Sequence, residues 1–138
     1  MKQLVLKNNI QQLALLADFV DQLADELSLD PALCFNLNLV LEEAVSNVVM
    51  YAYPQDEEHE LTVDALWDAD TKQLSLVIKD HGVPFNPLEQ APDVDITLSA
   101  EEREIGGLGI FLVNQIMDNV EYERKDGQNI LTMQKSIA

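Results

Sequence analysis

The segment VLEEAVSNVVMY, residues 40–51, predicts the middle of a long amphipathic helix. Glu43 and Asn47 are four residues apart, so they lie about 40° apart on one helical face, at the edge of an apolar stripe. That stripe consists of Leu37, Val40, Leu41, Ala44, Val45, Val48 and Tyr51. A carboxylate can accept a proton and an amide oxygen can bind a hard cation, so this pair could contact a ligand between helix and sheet. An ordinary amphipathic helix with two polar boundary residues explains the same pattern.

Two further motifs come later in the chain. The sequence DHGVPFNP, residues 80–87, directly follows an alternating strand, and GGLG, residues 106–109, opens an apolar helix. Glycine permits positive φ and close backbone approach to a ligand, and a glycine-rich helix entry can cradle phosphate through its N–H groups and dipole. Both motifs also have plain structural explanations, since an aspartate before glycine is common turn chemistry and paired glycines often precede a helix.

The remaining periodicities predict a fold of five strands and three helices. Asp30 and Pro31 are a good cap and first residue for the second helix, and Pro54 disfavours helix at the residue before it. This order predicts an α/β (α+β) two-layer sandwich, with a mixed, mainly antiparallel sheet of about five strands and the helices on one face. The predicted strands are 2–7, 61–67, 73–79, 120–124 and 128–135, the predicted helices are 10–27, 31–51 and 108–117, and 81–105 is a long loop.

Length and charge limit the possible functions. A chain of 138 residues with 47% hydrophobic residues is long enough for one domain with a real core, which we expect to span residues 1–138. The 8 basic and 25 acidic residues give a net charge of −17, which argues against binding nucleic acid or an anionic membrane. The acidity would suit a basic protein partner, and it would equally serve solubility alone.

The chain shows no sequence signal for export or membrane insertion. Its first ten residues, MKQLVLKNNI, lack the apolar core of a signal peptide, and no run approaches the roughly 20 apolar residues that a membrane helix needs. The single cysteine, Cys34, lies in an apolar helical stretch and is expected to be a buried, inert thiol. We therefore expect a cytoplasmic protein.

The three motifs in order, ExxxN, DxGxPFxP and GGLG, resemble those of the GHKL ATPase superfamily, and most closely those of the small bacterial anti-sigma factor serine kinases. The resemblance extends from about Gln3 to Ser136. It implies the Bergerat ATP-binding fold, in which the nucleotide is held between the helices and the sheet. Two residues depart from the general pattern, because Pro84 replaces a glycine and Asn86 replaces an acid.

The resemblance also implies roles for individual residues in the first two motifs. Glu43 matches the catalytic base, and Asn47 matches the asparagine that binds Mg²⁺. Asp80 matches the aspartate that accepts the exocyclic amino hydrogen of adenine, and Gly82 lets the base come close. Phe85 could wall the pocket or could equally be a core residue.

Residues near the third motif are assigned to the phosphates. Gly106, Gly107, Leu108 and Gly109 match the phosphate-binding loop. Arg103 is given a γ-phosphate role by analogy with related kinases, although it could be a solvated lid residue. The P-loop motif GxxxxGK[ST] is absent, and cations near the motifs are few, essentially Lys79 and Arg103. The resemblance implies ATP as the nucleotide. A polyanionic nucleotide on this acidic chain needs positive charge, and Mg²⁺ is the obvious source of it.

The leading hypothesis is an ATP-dependent anti-sigma factor and serine-protein kinase. By resemblance, its substrate would be a STAS-type anti-anti-sigma protein, and it could also bind a sigma factor and form a homodimer. The alternative is a non-catalytic, adenine-nucleotide-dependent binding module of such a partner-switching pathway. A third option is a domain that binds no nucleotide. His59 and His81 are not in a four-helix dimerisation segment, which argues against a sensor histidine kinase.

Overall fold

The structure, a computed structural model, describes residues 2–53, 58–87 and 107–137, with the backbone alone for 107–111. Within these ranges the chain forms one five-stranded sheet and three α-helices, as the sequence predicts. The strands are β1 (Lys2–Lys7), β2 (Glu60–Asp68), β3 (Gln73–Asp80), β4 (Asn119–Lys125) and β5 (Gln128–Ser136), and the helices are α1 (Ala14–Leu27), α2 (Pro31–Asn47) and α3 (Gly107–Ile116).

The sheet has the strand order β1-β2-β3-β5-β4. All four neighbouring pairs are antiparallel, so the described strands form no parallel pair and the mixed component of the predicted sheet is not seen. The reason lies in the connection through α3. That crossover leaves β4 running in the same direction as β3, but the β4–β5 hairpin folds back and places β5 between them. Asp126 and Gly127, both at positive φ, form the turn of this hairpin, as predicted.

Side-chain caps begin the 3₁₀ turn that leads into α1 and begin helix α2 itself. Asn9 accepts a hydrogen bond from the Gln11 N–H (2.9 Å), and the turn that follows, residues 10–13, is a 3₁₀ helix before α1. Asp30 accepts one from the Leu33 N–H (2.8 Å), with Pro31 at the first helical position. The Asp30 cap and Pro31 at the first helical position agree with the sequence prediction.

The second helix changes its winding after Asn47. The predicted helix to Tyr51 is α-helical only as far as Asn47, and residues 48–52 form a π-helical turn that ends at the extended Tyr53. The wider turn rotates the side chains that follow it away from the α-helical stripe. Tyr51, predicted to belong to the buried stripe, is consequently 46% exposed, which corrects that part of the prediction.

The core lies between the helices and one face of the sheet. Helix α2 packs against both α1 and α3 and supplies the centre of the core, with six stripe residues buried as predicted. The buried stripe residues are Leu37, Val40, Leu41, Ala44, Val45 and Val48. The helices thus cover one face of the sheet, which confirms the two-layer sandwich.

Two smaller expectations need correction. The helical segment Pro31–Ala52 is long and apolar enough to cross a membrane, but its apolar side chains pack in the core between the helices and the sheet. Cys34 is only half-buried, and its thiol donates a hydrogen bond to Asp21 Oδ1 at 3.6 Å. Helical spacing placed Cys34 at the edge of the stripe and not inside it.

Candidate functional site

A small cavity lies between the end of α2 and strands β3, β4 and β5. Its volume is about 10 Å³, room for roughly one water molecule, so a nucleotide base would enter only as the cavity widens. Four polar side chains from four different elements meet there, whereas the rest of the lining is apolar. The lining residues are Asn47, Asp80, Tyr122 and Asn129, with Ala44, Val48, Ile78, Phe85, Pro87 and Leu131.

Asp80 is the buried carboxylate of this cavity. It ends β3 and is only 2% exposed. Its Oδ1 accepts two hydrogen bonds, from the Gly82 N–H at 2.9 Å and from Asn129 Nδ2 at 2.8 Å. Burial raises the pKa of the Asp80 carboxyl, and these two hydrogen bonds and the charge of Arg124 oppose that rise. The two hydrogen bonds therefore stabilise the Asp80 carboxylate in a buried position, where an unpaired charge would lower the free energy of unfolding.

Asn129 is a central residue of the site that sequence reasoning missed. Its Nδ2 donates to Asp80 Oδ1 and to the Val83 carbonyl (2.8 Å each), and its Oδ1 accepts from the Phe85 N–H (3.1 Å) and the Tyr122 hydroxyl (2.5 Å). A polar residue at a core-facing position of an alternating strand is unusual, and this signal in the sequence could have identified Asn129. The pairing with Asp80 itself depends on the β3–β5 register.

Gly82 lies against the π-helical turn. A Cβ at this position would lie 2.2 Å from the carbonyl oxygen of Ala52, so only glycine fits. The neighbouring Val83 N–H donates to the same oxygen at 2.8 Å. Gly82 is expected from the family resemblance to let the adenine base come close, and that role stays a prediction. The close approach that the structure shows is that of Gly82 to the Ala52 carbonyl. This contact joins the loop after β3 to the end of the second helix.

Asn47 and Glu43 differ in how they relate to the cavity. Asn47 is 2% exposed, and its Oδ1 is buried without a hydrogen-bond partner in the described part of the chain. Such an orphaned oxygen is uncommon in a folded protein and fits the ligand set of a hard cation. Glu43 is half-buried one turn earlier and does not line the cavity. Burial raises the pKa of its carboxyl.

Phe85 combines the two alternatives that the sequence left open. It lines the cavity and also packs, half-buried, against the hydrophobic core. Its ring stacks on that of Tyr51, with 5.3 Å between the ring centroids. The aromatic pair therefore connects the loop after β3 to the π-helical turn on one side of the cavity.

One cation of the site was not expected from the sequence. Arg124, on β4, donates from Nη1 to the Gly82 carbonyl at 2.8 Å, so strand pairing adds a cation that motif spacing did not reveal. Lys79 neighbours Asp80 on β3 and, by strand alternation, faces the opposite side of the sheet. Arg103 lies outside the described residues.

The third motif is described only in its backbone. Helix α3 spans Gly107–Ile116, so it begins and ends one residue earlier than the predicted 108–117, and Gly107, Leu108 and Gly109 lie in its first turn. Gly106 lies outside the described residues. The phosphate-binding role of this turn stays a prediction.

Metal-binding clusters and other cavities are the alternatives to this site within the described ranges. No group of three or more His, Cys, Asp or Glu side chains within those ranges could hold a metal ion. A larger, open cavity of about 220 Å³ lies between α1 and the far end of the sheet, beside the Lys2–Glu26 ion pair (2.9 Å). No motif residue lines it. We therefore place the candidate site at the smaller cavity, where the motif residues meet.

Sequence comparisons identify the family. The family model that describes the histidine kinase-like ATPase domain matches residues 6–135 of the sequence. Serine-protein kinase RsbW of Listeria monocytogenes is 30% identical over 99 residues, which cover 70% of this chain and 62% of that protein. Serine/threonine-protein kinase BtrW of Bordetella bronchiseptica is 31% identical over 99 residues, covering 72% and 68%. The chain belongs to the histidine kinase-like (GHKL) ATPase family, in the branch of the RsbW-type proteins.

Solved structures agree on the fold. The SiaB-SiaC complex of Pseudomonas aeruginosa matches with a TM-score of 0.58 at 13% identity, covering 96% of this chain and 88% of that one. The histidine kinase domain of the blue-light activated histidine kinase of Erythrobacter litoralis matches with a TM-score of 0.56 at 13% identity, covering 88% and 61%. At this identity the likeness concerns the fold alone.

The contact of Gly82 with Ala52 can be tested by Gly82→Ala. The added methyl would collide with the Ala52 carbonyl, so we expect a loss of about 1–3 kcal/mol in the free energy of unfolding, measured in urea. The Val83 amide should also lose hydrogen-exchange protection.

Gly127→Ala is the matched control. Its Cβ would enter open space at a backbone φ of +77°, so it should lower stability by roughly 1–2 kcal/mol and leave the Val83 amide protected. An unchanged stability and an unchanged Val83 exchange rate in Gly82→Ala would contradict the close packing described above.

Proposed function

We propose that this chain is an ATP-dependent serine-protein kinase that also acts as an anti-sigma factor in a partner-switching pathway. Its family and the names of its RsbW and BtrW relatives support the activity. The observation that carries the proposal is the unpartnered Asn47 oxygen, buried in the same cavity as the Asp80 carboxylate. In this proposal the Asn47 oxygen binds the metal ion and the Asp80 carboxylate recognises the adenine base at the same site.

Asp80 would recognise the adenine. A carboxylate is an acceptor, so it matches the exocyclic amino group of adenine and repels the carbonyl that guanine has at the corresponding position. Its Oδ1 is already held by two donors, which leaves Oδ2 for the base. The apolar lining of the cavity suits the faces of a purine ring.

Asn47 would hold Mg²⁺ on the phosphates. Magnesium, when bound, supplies the positive charge that the phosphates need in a protein of net charge −17. The Asn47 amide offers an oxygen that has no other partner among the described residues, which is the donor type that Mg²⁺ prefers. Asn38 on the same helix also has an unpartnered buried oxygen, but it does not line the cavity. Location therefore distinguishes the two asparagines.

Glu43 would take the proton of the incoming hydroxyl group. Its carboxyl is half-buried, one helical turn from Asn47, and burial raises its pKa. A raised pKa makes a carboxylate a stronger base, provided that it stays ionised at the working pH. Gly106 to Gly109 would contact the phosphates from the start of α3, and Arg103 would approach the γ-phosphate.

A STAS-type anti-anti-sigma protein is the proposed substrate, with a sigma factor as a possible second partner and a homodimer as a possible assembly. The chain spans 62% of the length of the RsbW relative, so the partners of that whole protein come to this chain as proposals only. The fold also occurs in the SiaB-SiaC complex, which is a protein assembly. We place the protein in the cytoplasm.

One observation favours a second function, that of a nucleotide-dependent binding module without catalysis. Glu43 does not line the cavity that holds Asn47 and Asp80. Incubation of the purified protein with Mg-ATP and its co-encoded STAS protein, followed by mass measurement of both, decides between the two. Addition of one phosphate to a serine of the STAS protein supports the kinase. ATP binding with no mass change supports the binding module.

The adenine role predicts the effect of Asp80→Asn. The new NH₂ group can oppose the amino group of the base with a donor, which should weaken ATP binding by roughly 1–3 kcal/mol, about five- to 150-fold in calorimetry. Asp64→Asn is the matched control, because Asp64 is also buried and bonds to Gln3 but does not line the cavity. If both variants bind ATP as tightly as the parent protein does, Asp80 does not contact the nucleotide.

The metal role predicts that ATP binding depends strongly on Mg²⁺. Asn47→Ala should weaken that dependence, whereas Asn38→Ala should leave it unchanged. The measurement is ATP affinity with Mg²⁺ and with a chelator for each protein. The same affinity under both conditions in the parent protein would show that protein cations neutralise the phosphates.

The base role predicts that phosphotransfer needs Glu43 and that nucleotide binding does not. Glu43→Gln keeps the shape of the side chain but cannot take a proton, so single-turnover transfer should fall about 10²–10⁴-fold with ATP affinity within a few-fold. Glu42→Gln, at the exposed neighbouring position, should transfer at the parental rate. Parental transfer by Glu43→Gln would exclude it as the base, and unfolding of that variant would assign its carboxylate a structural role.

A further inference from the structure

Asn129 has an unusual set of contacts for a strand residue. It is 4% exposed and lies directly opposite Asp80 in the β3–β5 register. Both of its N–H donors and both acceptor positions of its oxygen are used, because it donates to Asp80 and Val83 and accepts from Phe85 and Tyr122. A neutral amide with four partners in the core has no remaining capacity to contact a ligand through hydrogen bonds.

The four partners also fix which way the amide faces. Turning the amide over would bring its oxygen against the Asp80 carboxylate and the Val83 carbonyl, and its NH₂ group against the Phe85 N–H and the Tyr122 hydroxyl. Three of these four contacts would then be repulsive, since only the hydroxyl can change roles. The donor side of Asn129 therefore faces Asp80 permanently.

We propose that Asn129 is the positioning residue for the base-reading carboxylate, which it orients so that Oδ2 alone is presented to the amino group of the base. The proposal rests on the proposed ATP site and names a residue that acts through Asp80. Two donors on Oδ1, from Asn129 and the Gly82 N–H, resist rotation of the carboxylate about its Cβ–Cγ bond. The hydrogen bond from Asn129 Nδ2 to the Val83 carbonyl holds the loop after β3 to the amide group that contacts Asp80.

The second effect of Asn129 concerns the charge of Asp80. Burial favours the protonated acid, and the hydrogen bond from Asn129 is the largest contribution that favours the carboxylate. The other groups that act on its charge are the Gly82 N–H, the Arg124 guanidinium and His81, all of which also lower the pKa. Burial raises the pKa of the nearby Tyr53 hydroxyl, and the Asp80 charge adds to that rise. Removal of Asn129 would therefore move the Asp80 pKa upwards.

The test uses two substitutions at Asn129 and one control. Asn129→Leu removes the donor. Asn129→Asp keeps the shape and the acceptor side, but it places a second carboxylate against Asp80, so it remains informative if the leucine variant does not fold. Asn119→Leu is the control, because Asn119 also donates two hydrogen bonds through Nδ2, to Glu121 and Gln134, at an exposed place on β4.

Two quantities are measured on each folded protein. One is the Asp80 pKa without nucleotide, from the pH dependence of its carboxyl ¹³C NMR signal. The other is ATP affinity as a function of pH. In both Asn129 variants we expect a higher Asp80 pKa and an ATP affinity reduced about ten- to a hundred-fold near neutral pH. Because the protonated acid binds the base poorly, the pH below which affinity falls should move upwards with that pKa. Asn119→Leu should match the parent in both.

The outcomes separate this inference from the proposed function. If the parent protein binds ATP and the Asn129 variants bind it equally well with an unshifted Asp80 pKa, the positioning role is wrong and the ATP site stands. A loss of affinity with no change in the pH profile would assign Asn129 a structural role only and would also overturn the inference. If the parent binds no ATP, the proposed function fails, and the base-reading role falls with it.

Discussion

The burial of one carboxylate constrains the rest of this structure. Asp80 ends a central strand inside a two-layer sandwich, where an ionised group is stable only with nearby donors. The donors come from different parts of the chain, namely the loop that follows Asp80 and the hairpin strand β5. Strand β5 can supply Asn129 only because the hairpin inserts it between β3 and β4. Topology and site are thus linked through a single hydrogen-bonded pair.

The end of the second helix adapts to the same loop. The π-helical turn after Asn47 exposes Tyr51 and directs the Ala52 carbonyl towards the Val83 N–H. The loop can approach that carbonyl because Gly82 has no side chain. Departures from α-helical winding are frequent at functional sites, and this one follows Asn47, whose buried side-chain oxygen has no partner in the described structure. The irregular turn therefore belongs to the construction of the cavity.

Much of this arrangement follows from local sequence patterns. The 3.6-residue period of α2, its Asp30–Pro31 start, the alternating strands and the Asp126–Gly127 hairpin are short-range signals, and each is present in the structure. These local features could be predicted because each depends on neighbours within about one helical turn or one hairpin. The meeting of Asp80 and Asn47 is not local, and the family resemblance implied it; the cavity contains both residues.

Features that depend on long-range register could not be predicted in this way. Asn129 and Arg124 reach the site through strand pairing across more than 40 positions of the chain. The π-helical turn packs against a loop that is distant in sequence. The residues of the helix alone therefore predicted a continuous α-helix to Tyr51. Arg103 and Gly106 lie outside the described residues, so their assignments rest on the family resemblance.

The central claim is that adenine nucleotide binds at the Asp80 cavity, and an NMR titration of the whole chain with a non-hydrolysable ATP analogue and Mg²⁺ tests it most directly. The account predicts that the amide signals shifted most belong to the cavity and its loop, with Gly82, Val83, Phe85 and Asn129 among them. The side-chain amide of Asn47 should shift only when Mg²⁺ is present. Shifts centred on the larger cavity near Lys2 and Trp67, or no shifts at all, would contradict the account.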